Sequence, residues 1–103
     1  MKKRVDLQMY QENGVTLERP SPKKLRVSYN GLLDQSGANE LYIHYGHGER
    51  WEKPNCVPMQ RTHNGWEGDI PVTNNNQPIN MCFKDSAYNW DNNSGWNYYV
   101  EPK

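Results

Sequence analysis

Phenylalanine is nearly absent from this chain: one residue in 103, against seven tyrosines and four tryptophans. Rings with a polar handle suit positions with one side buried and the other wet. The composition therefore suits a small β-domain with an aromatic binding surface. Aliphatic content is also low, with all hydrophobic residues together at 34%, so much of the burial has to come from Tyr and Trp. No apolar run approaches the roughly 20 residues of a membrane-spanning helix, and Met1-Lys2-Lys3-Arg4-Val5-Asp6 is basic without the apolar stretch of a secretory signal. Twelve basic and twelve acidic residues leave no net formal charge. Nucleic-acid binders carry a basic footprint, and the short clusters Lys2-Lys3-Arg4 and Lys23-Lys24-Leu25-Arg26 do not supply one. Cys56 and Cys82 are the only cysteines. Their spacing fits no metal motif, and without an export signal two free thiols are expected rather than a disulfide.

What is present is alternation. Leu25, Val27 and Tyr29 fall on one face of a strand, as do Leu41, Ile43 and Tyr45, with His44 on the opposite face. Trp66, Gly68, Ile70 and Val72 share a parity; Ile79, Met81 and Phe83 share another, with Cys82 opposed to them; Trp96, Tyr98 and Val100 close the set. Shorter candidates lie at 5–9, 15–17 and 57–61. Turn clusters separate these runs, and His63-Asn64-Gly65 reads as a hairpin. No segment sustains a helical period. Several short strands at this spacing imply one antiparallel β-sandwich with loops gathered at its ends. It occupies residues 23–103, preceded by an N-terminal segment, 1–22, expected as an edge strand or a loose arm.

Trp90 and Trp96 frame the run Trp90-Asp91-Asn92-Asn93-Ser94-Gly95, which is too polar and turn-rich to bury both indoles. Trp51 has similar company in Glu49, Arg50, Glu52 and Lys53. A pyranose offers an axial C–H face to an aromatic ring and a rim of hydroxyls to polar groups. Stacking gains apolar contact worth about 1 kcal/mol per ring by analogy with aromatic pairs. The hydroxyls then need partners in place of water, and Asn92 and Asn93 carry both donor and acceptor. The opposing reading is that these indoles seal the core at loop edges. His44 and His47 do not make a metal pair, because residues three apart on a strand face opposite ways. Asp91 is suited to orienting the Trp90 loop through an Asx-turn. No paired-carboxylate constellation, Gly-x-Ser-x-Gly motif, Cys/His pairing or phosphate loop appears, so neither covalent chemistry nor a cofactor is expected.

Leu41-Tyr42-Ile43-His44-Tyr45-Gly46, then Trp51, Met59, Trp66, Met81-Cys82-Phe83-Lys84-Asp85, and Trp90-Asp91-Asn92-Asn93 followed by Asn97-Tyr98 resemble the starch-binding carbohydrate-binding modules of families 25 and 53. The resemblance runs from about residue 24 to residue 100. It implies an immunoglobulin-like β-sandwich that binds α-1,4-linked glucans such as starch, glycogen and maltooligosaccharides. By position it assigns His44, Trp51 and Trp90 to an angled aromatic platform, with Asn92 and Asn93 beside it. Such modules commonly accompany glucan-active enzymes, so an enzyme partner is implied. The location implied is secreted for a fragment of such an enzyme and cytoplasmic for a chain complete at 103 residues. A β-sandwich adaptor meeting a protein partner through exposed aromatics is the alternative.

Overall fold

The computed structural model describes residues 10, 13–48, 52–63, 65–72, 77–93, 95 and 97–101. The first two strands, β1 (Val15–Ser21) and β2 (Lys24–Tyr29), form a hairpin turned by Pro22 and Lys23. Their register shifts between Glu18 and Ser21, where Pro20 has no N–H to give to a ladder. One helical turn, α1 (Leu32–Gln35), carries the chain to β3 (Leu41–His47) and β4 (Glu52–Pro58). The chain then changes sheet into β5 (Gln60–Thr62) and β6 (Gly65–Pro71), and crosses again to β7 (Ile79–Asp85), β8 (Trp90–Asp91) and β9 (Tyr98–Val100).

All pairings are antiparallel, and they make two sheets. One has the order β1-β2-β6-β5; the other runs β4-β3-β7, with β8 and β9 both along the free edge of β7. This is the strand arrangement of an immunoglobulin-like sandwich. Alternation placed the inward residues correctly: Leu25, Val27, Tyr29, Leu41, Ile43, Tyr45, Ile79, Met81 and Phe83 are all buried between the sheets. The run expected at 57–61 divides at Met59, whose N–H bonds to the carbonyl of Leu41 while its side chain enters the core. The 5–9 candidate and Trp96 lie outside the described residues. The segment 15–21 forms the edge strand of the first sheet.

The single phenylalanine stands at the centre of an aromatic stack. Phe83 lies 4.2 Å from Tyr29, near parallel, and 5.4 Å from Tyr98. Both tyrosines are almost fully buried, so their hydroxyls need acceptors. One residue supplies them. Asp91 accepts from Tyr29 Oη at 2.5 Å and from Tyr98 Oη at 2.9 Å, and Tyr29 Oη accepts in turn from the N–H of Leu33 at 3.0 Å. Burial, and then the bond to the Asp91 carboxylate, push both phenols well above the ordinary tyrosine value. This network ties the two sheets and α1 together beneath the loop that carries Trp90.

Candidate functional site

The strand β8 is two residues long, and its alternation sets the site. Asp91 pairs with Phe83 and points inward; Trp90 pairs with Lys84 and points outward. The indole is 45% exposed, although the carboxylate next to it is buried. A Trp left in water over a rigid anchor is a surface feature rather than a plug in the core.

On that outer face, the register places His44 on β3 between Cys56 on β4 and Cys82 on β7. The half-buried His44 ring meets Trp90 edge-on, with centroids 5.7 Å apart and planes at 83°. The next row holds Tyr42 and Lys84. The Lys84 Nζ lies 5.6 Å from the Tyr42 ring, 4.9 Å from Tyr88 and 5.7 Å from Trp90. Cys56 and Cys82 are both free thiols. Cys82 faces away from the core, as parity predicts, yet it is buried all the same, and burial pushes its thiol up to about 11. The opposite outer surface, on the first sheet, is of another kind: Arg26 bonds Asp69 at 3.1 Å, with Lys24 and Glu67 alongside. That is a solvated ion-pair face.

The loop after β8 is built on asparagine. Asp91 Oδ1 accepts from the N–H of Asn93 at 3.3 Å, the Asx-type contact expected there, and the same carboxylate also holds the two core tyrosines. Asn92 accepts on its backbone carbonyl from Asn97 N–H at 2.7 Å and on its side-chain oxygen from Gly95 N–H at 3.0 Å. Asn93 donates its amide to the carbonyl of Asn97 at 3.0 Å and accepts from Asn13 at 3.5 Å. Asn93 and Asn97 both adopt left-handed backbone, at φ +56° and +59°, a conformation asparagine tolerates. Both predicted amides thus shape the loop, and among the described residues no acceptor takes the Asn92 amino group. Between this loop and α1 lies an open depression of about 370 Å³ lined by Asn13, Leu32, Trp90, Asn92 and Asn93, with Asp91 and Tyr98 at its floor.

Of the five residues read from the sequence, His44, Trp90, Asn92 and Asn93 stand on or beside one face. Trp51 lies outside the described residues. Tyr42, Lys84 and the exposed Leu32 were not anticipated. Tyr42 and Lys84 share strand parity with His44 and Trp90 and were available from register; Leu32 follows from the path of α1 alone. Among the described residues, no group of three His, Cys, Asp or Glu side chains could hold a metal ion, and no helix is long and apolar enough to cross a membrane.

The chain is 34% identical over 83 residues to an alpha-amylase of Clostridium acetobutylicum, an alignment covering 77% of this chain and 11% of that enzyme. It therefore spans about a tenth of the length of that relative. No solved structure gives a significant match. Residues 25–81 match the model of a starch/carbohydrate-binding module, family 53. That stretch takes in β2 to the middle of β7, including His44. Matched over more than half its length and sharing this identity with an amylase segment, the chain belongs to carbohydrate-binding module family 53.

Proposed function

We propose that this module binds α-1,4-linked glucans by stacking a glucosyl ring on Trp90, with His44 as its angled neighbour and Trp51 as a further ring. The sugar hydroxyls are met by Asn92, Asn93 and nearby backbone. The observation that carries this reading is the 83° angle between His44 and an exposed Trp90. Two rings set at an angle follow a coiling α-1,4 chain, whereas a flat β-1,4 chain calls for coplanar rings. The buried anchor at Asp91 supports it, because a platform fixed before binding spends less on ordering. The module binds and does not cleave. Alongside a glucan-active enzyme, it would hold that enzyme on starch, glycogen or maltooligosaccharides.

Affinity electrophoresis in native gels tests the reading. Soluble starch and glycogen retard the protein, a cellulose derivative does not, and the retardation changes little with salt because no charge is neutralised. Trp90→Ala abolishes it. Equal mobility in all gels would overturn the assignment. A protein partner that maltooligosaccharide cannot displace would favour the adaptor reading.

A further inference from the structure

The aromatic surface continues past Trp90. Tyr88, in the loop between β7 and β8, is 72% exposed, the most exposed of the large apolar side chains among the described residues. Its backbone is left-handed, at φ +62°, an uncommon conformation for a bulky residue. The Asp85 carboxylate holds the loop in this shape. It accepts from the N–H of Ala87 at 2.9 Å and of Asn89 at 2.8 Å, and from the Asn89 side-chain amide at 2.9 Å. Those bonds, the Asn89 amide first, hold the Asp85 carboxyl below its ordinary value. A large ring kept in water on strained backbone contributes nothing to the core, from which it is absent.

Its neighbour explains its placement. The Lys84 ammonium lies 4.9 Å from the Tyr88 ring and 5.7 Å from Trp90, with Tyr42 at 5.6 Å on the sheet beneath. One cation so placed attracts the ring faces and joins the two exposed rings into a continuous strip. An ammonium has three donors and no acceptor, and among the described residues no carboxylate pairs with it. Its N–H groups suit the hydroxyl oxygens of a chain lying across the strip.

We propose that Tyr88 and Lys84 form a second glucosyl subsite, extending the Trp90–His44 platform along the α-glucan: Tyr88 stacks a further pyranose and Lys84 donates to hydroxyls between the two rings. The inference rests on the platform reading above, and its own consequence is a dependence on chain length. Short oligosaccharides that fill only the Trp90 end ignore Tyr88; long ones use it.

Titration calorimetry of the full chain with maltotriose and maltoheptaose tests this. The wild type binds maltoheptaose more tightly than maltotriose. Tyr88→Ala leaves maltotriose affinity unchanged and weakens maltoheptaose roughly fivefold, the loss of one stacked ring. Tyr88→Gly, which removes the ring and suits the left-handed backbone, gives the same result in a chain free of strain at that position. Tyr88→Phe retains the wild-type affinities, and Lys84→Met weakens maltoheptaose selectively. Wild-type maltoheptaose affinity in both Tyr88→Ala and Tyr88→Gly would overturn the subsite, as would an equal loss for the two sugars. If Trp90→Ala abolishes binding while the Tyr88 variants change nothing, only this extension fails. A wild-type protein that binds neither sugar removes the platform reading itself.

Discussion

At the scale of single residues, Asp91 and Trp90 are adjacent and do opposite things. Asp91 is 6% exposed and takes hydrogen bonds from two buried phenols and one backbone N–H. Replacing it by alanine leaves both hydroxyls buried without their acceptor, and each orphaned donor costs its desolvation. Asp91→Ala should therefore lose at least about 2 kcal/mol of stability, read as a lower urea midpoint at unchanged slope. It should also weaken glucan binding by loosening the Trp90 loop. A wild-type midpoint would show that the network carries no stability. Trp90→Ala makes the complementary case. An exposed side chain outside the core changes stability by no more than about 0.5 kcal/mol, so this variant should unfold like the wild type and lose retardation by starch. Asp91 was legible in the sequence as an Asx-turn residue, but its bonds to Tyr29 and Tyr98 span 62 and 7 residues and leave no local signature.

At the scale of elements, strands long enough to alternate were readable, and shorter pieces were not. The strand β2 runs over the residues whose pattern announced it, Lys24–Tyr29. The helix α1 has four residues and β8 has two, too few to express any period. The hairpin β5–β6 was legible because its turn chemistry is specific: Thr62 pairs with Gly65 across a two-residue loop. Gly65 has φ +118°, and a Cβ there would lie 2.5 Å from the carbonyl oxygen of Tyr29. Gly65→Ala thus combines backbone strain with a backbone clash, and should cost about 1–3 kcal/mol, measured as a lower thermal midpoint. The hairpin belongs to the sheet opposite the aromatic face, so affinity for maltoheptaose at low temperature should be unaffected. An unchanged midpoint would mean that the hairpin relaxes freely around the new methyl group.

At the scale of the whole molecule, the sandwich separates two surfaces. One outer face carries the Lys24, Arg26, Glu67 and Asp69 pairs, which at this exposure add little stability but keep the face solvated. The other carries Tyr42, His44, Lys84 and Trp90. Folding also buries groups that must stay protonated, and this sets a pH limit. Cys82 is pushed from 9.0 to about 11 by burial, and Tyr29 and Tyr98 rise above their ordinary value of 10.0. In each case the unfolded chain gives up its proton first, so the contribution is fully present below the unfolded value and is lost as pH rises toward the folded one. The urea midpoint should hold steady up to pH 9 and fall beyond it, first through Cys82 and then, above pH 10, through the two tyrosines. Cys82→Ala should delay the onset to about pH 10, where the phenols of the unfolded chain begin to titrate while those of the folded protein stay protonated. An identical pH profile in that variant would mean that the thiol does not couple to folding.

The sequence by itself determined the strand faces, the antiparallel sandwich and the surface candidates His44 and Trp90, because side-chain alternation and turn chemistry are local and a two-residue period survives without any knowledge of partners. Which strands would be neighbours was decided only by the tertiary structure. That pairing set His44 nearly at right angles to Trp90, gathered Tyr42, Tyr88 and Trp90 around Lys84, and gave Asp91 one phenol from the opposite sheet beside that of the following strand. Contacts of this kind depend on sheet order and register across the core, quantities fixed when the two apolar faces close on each other and absent from any single stretch of chain.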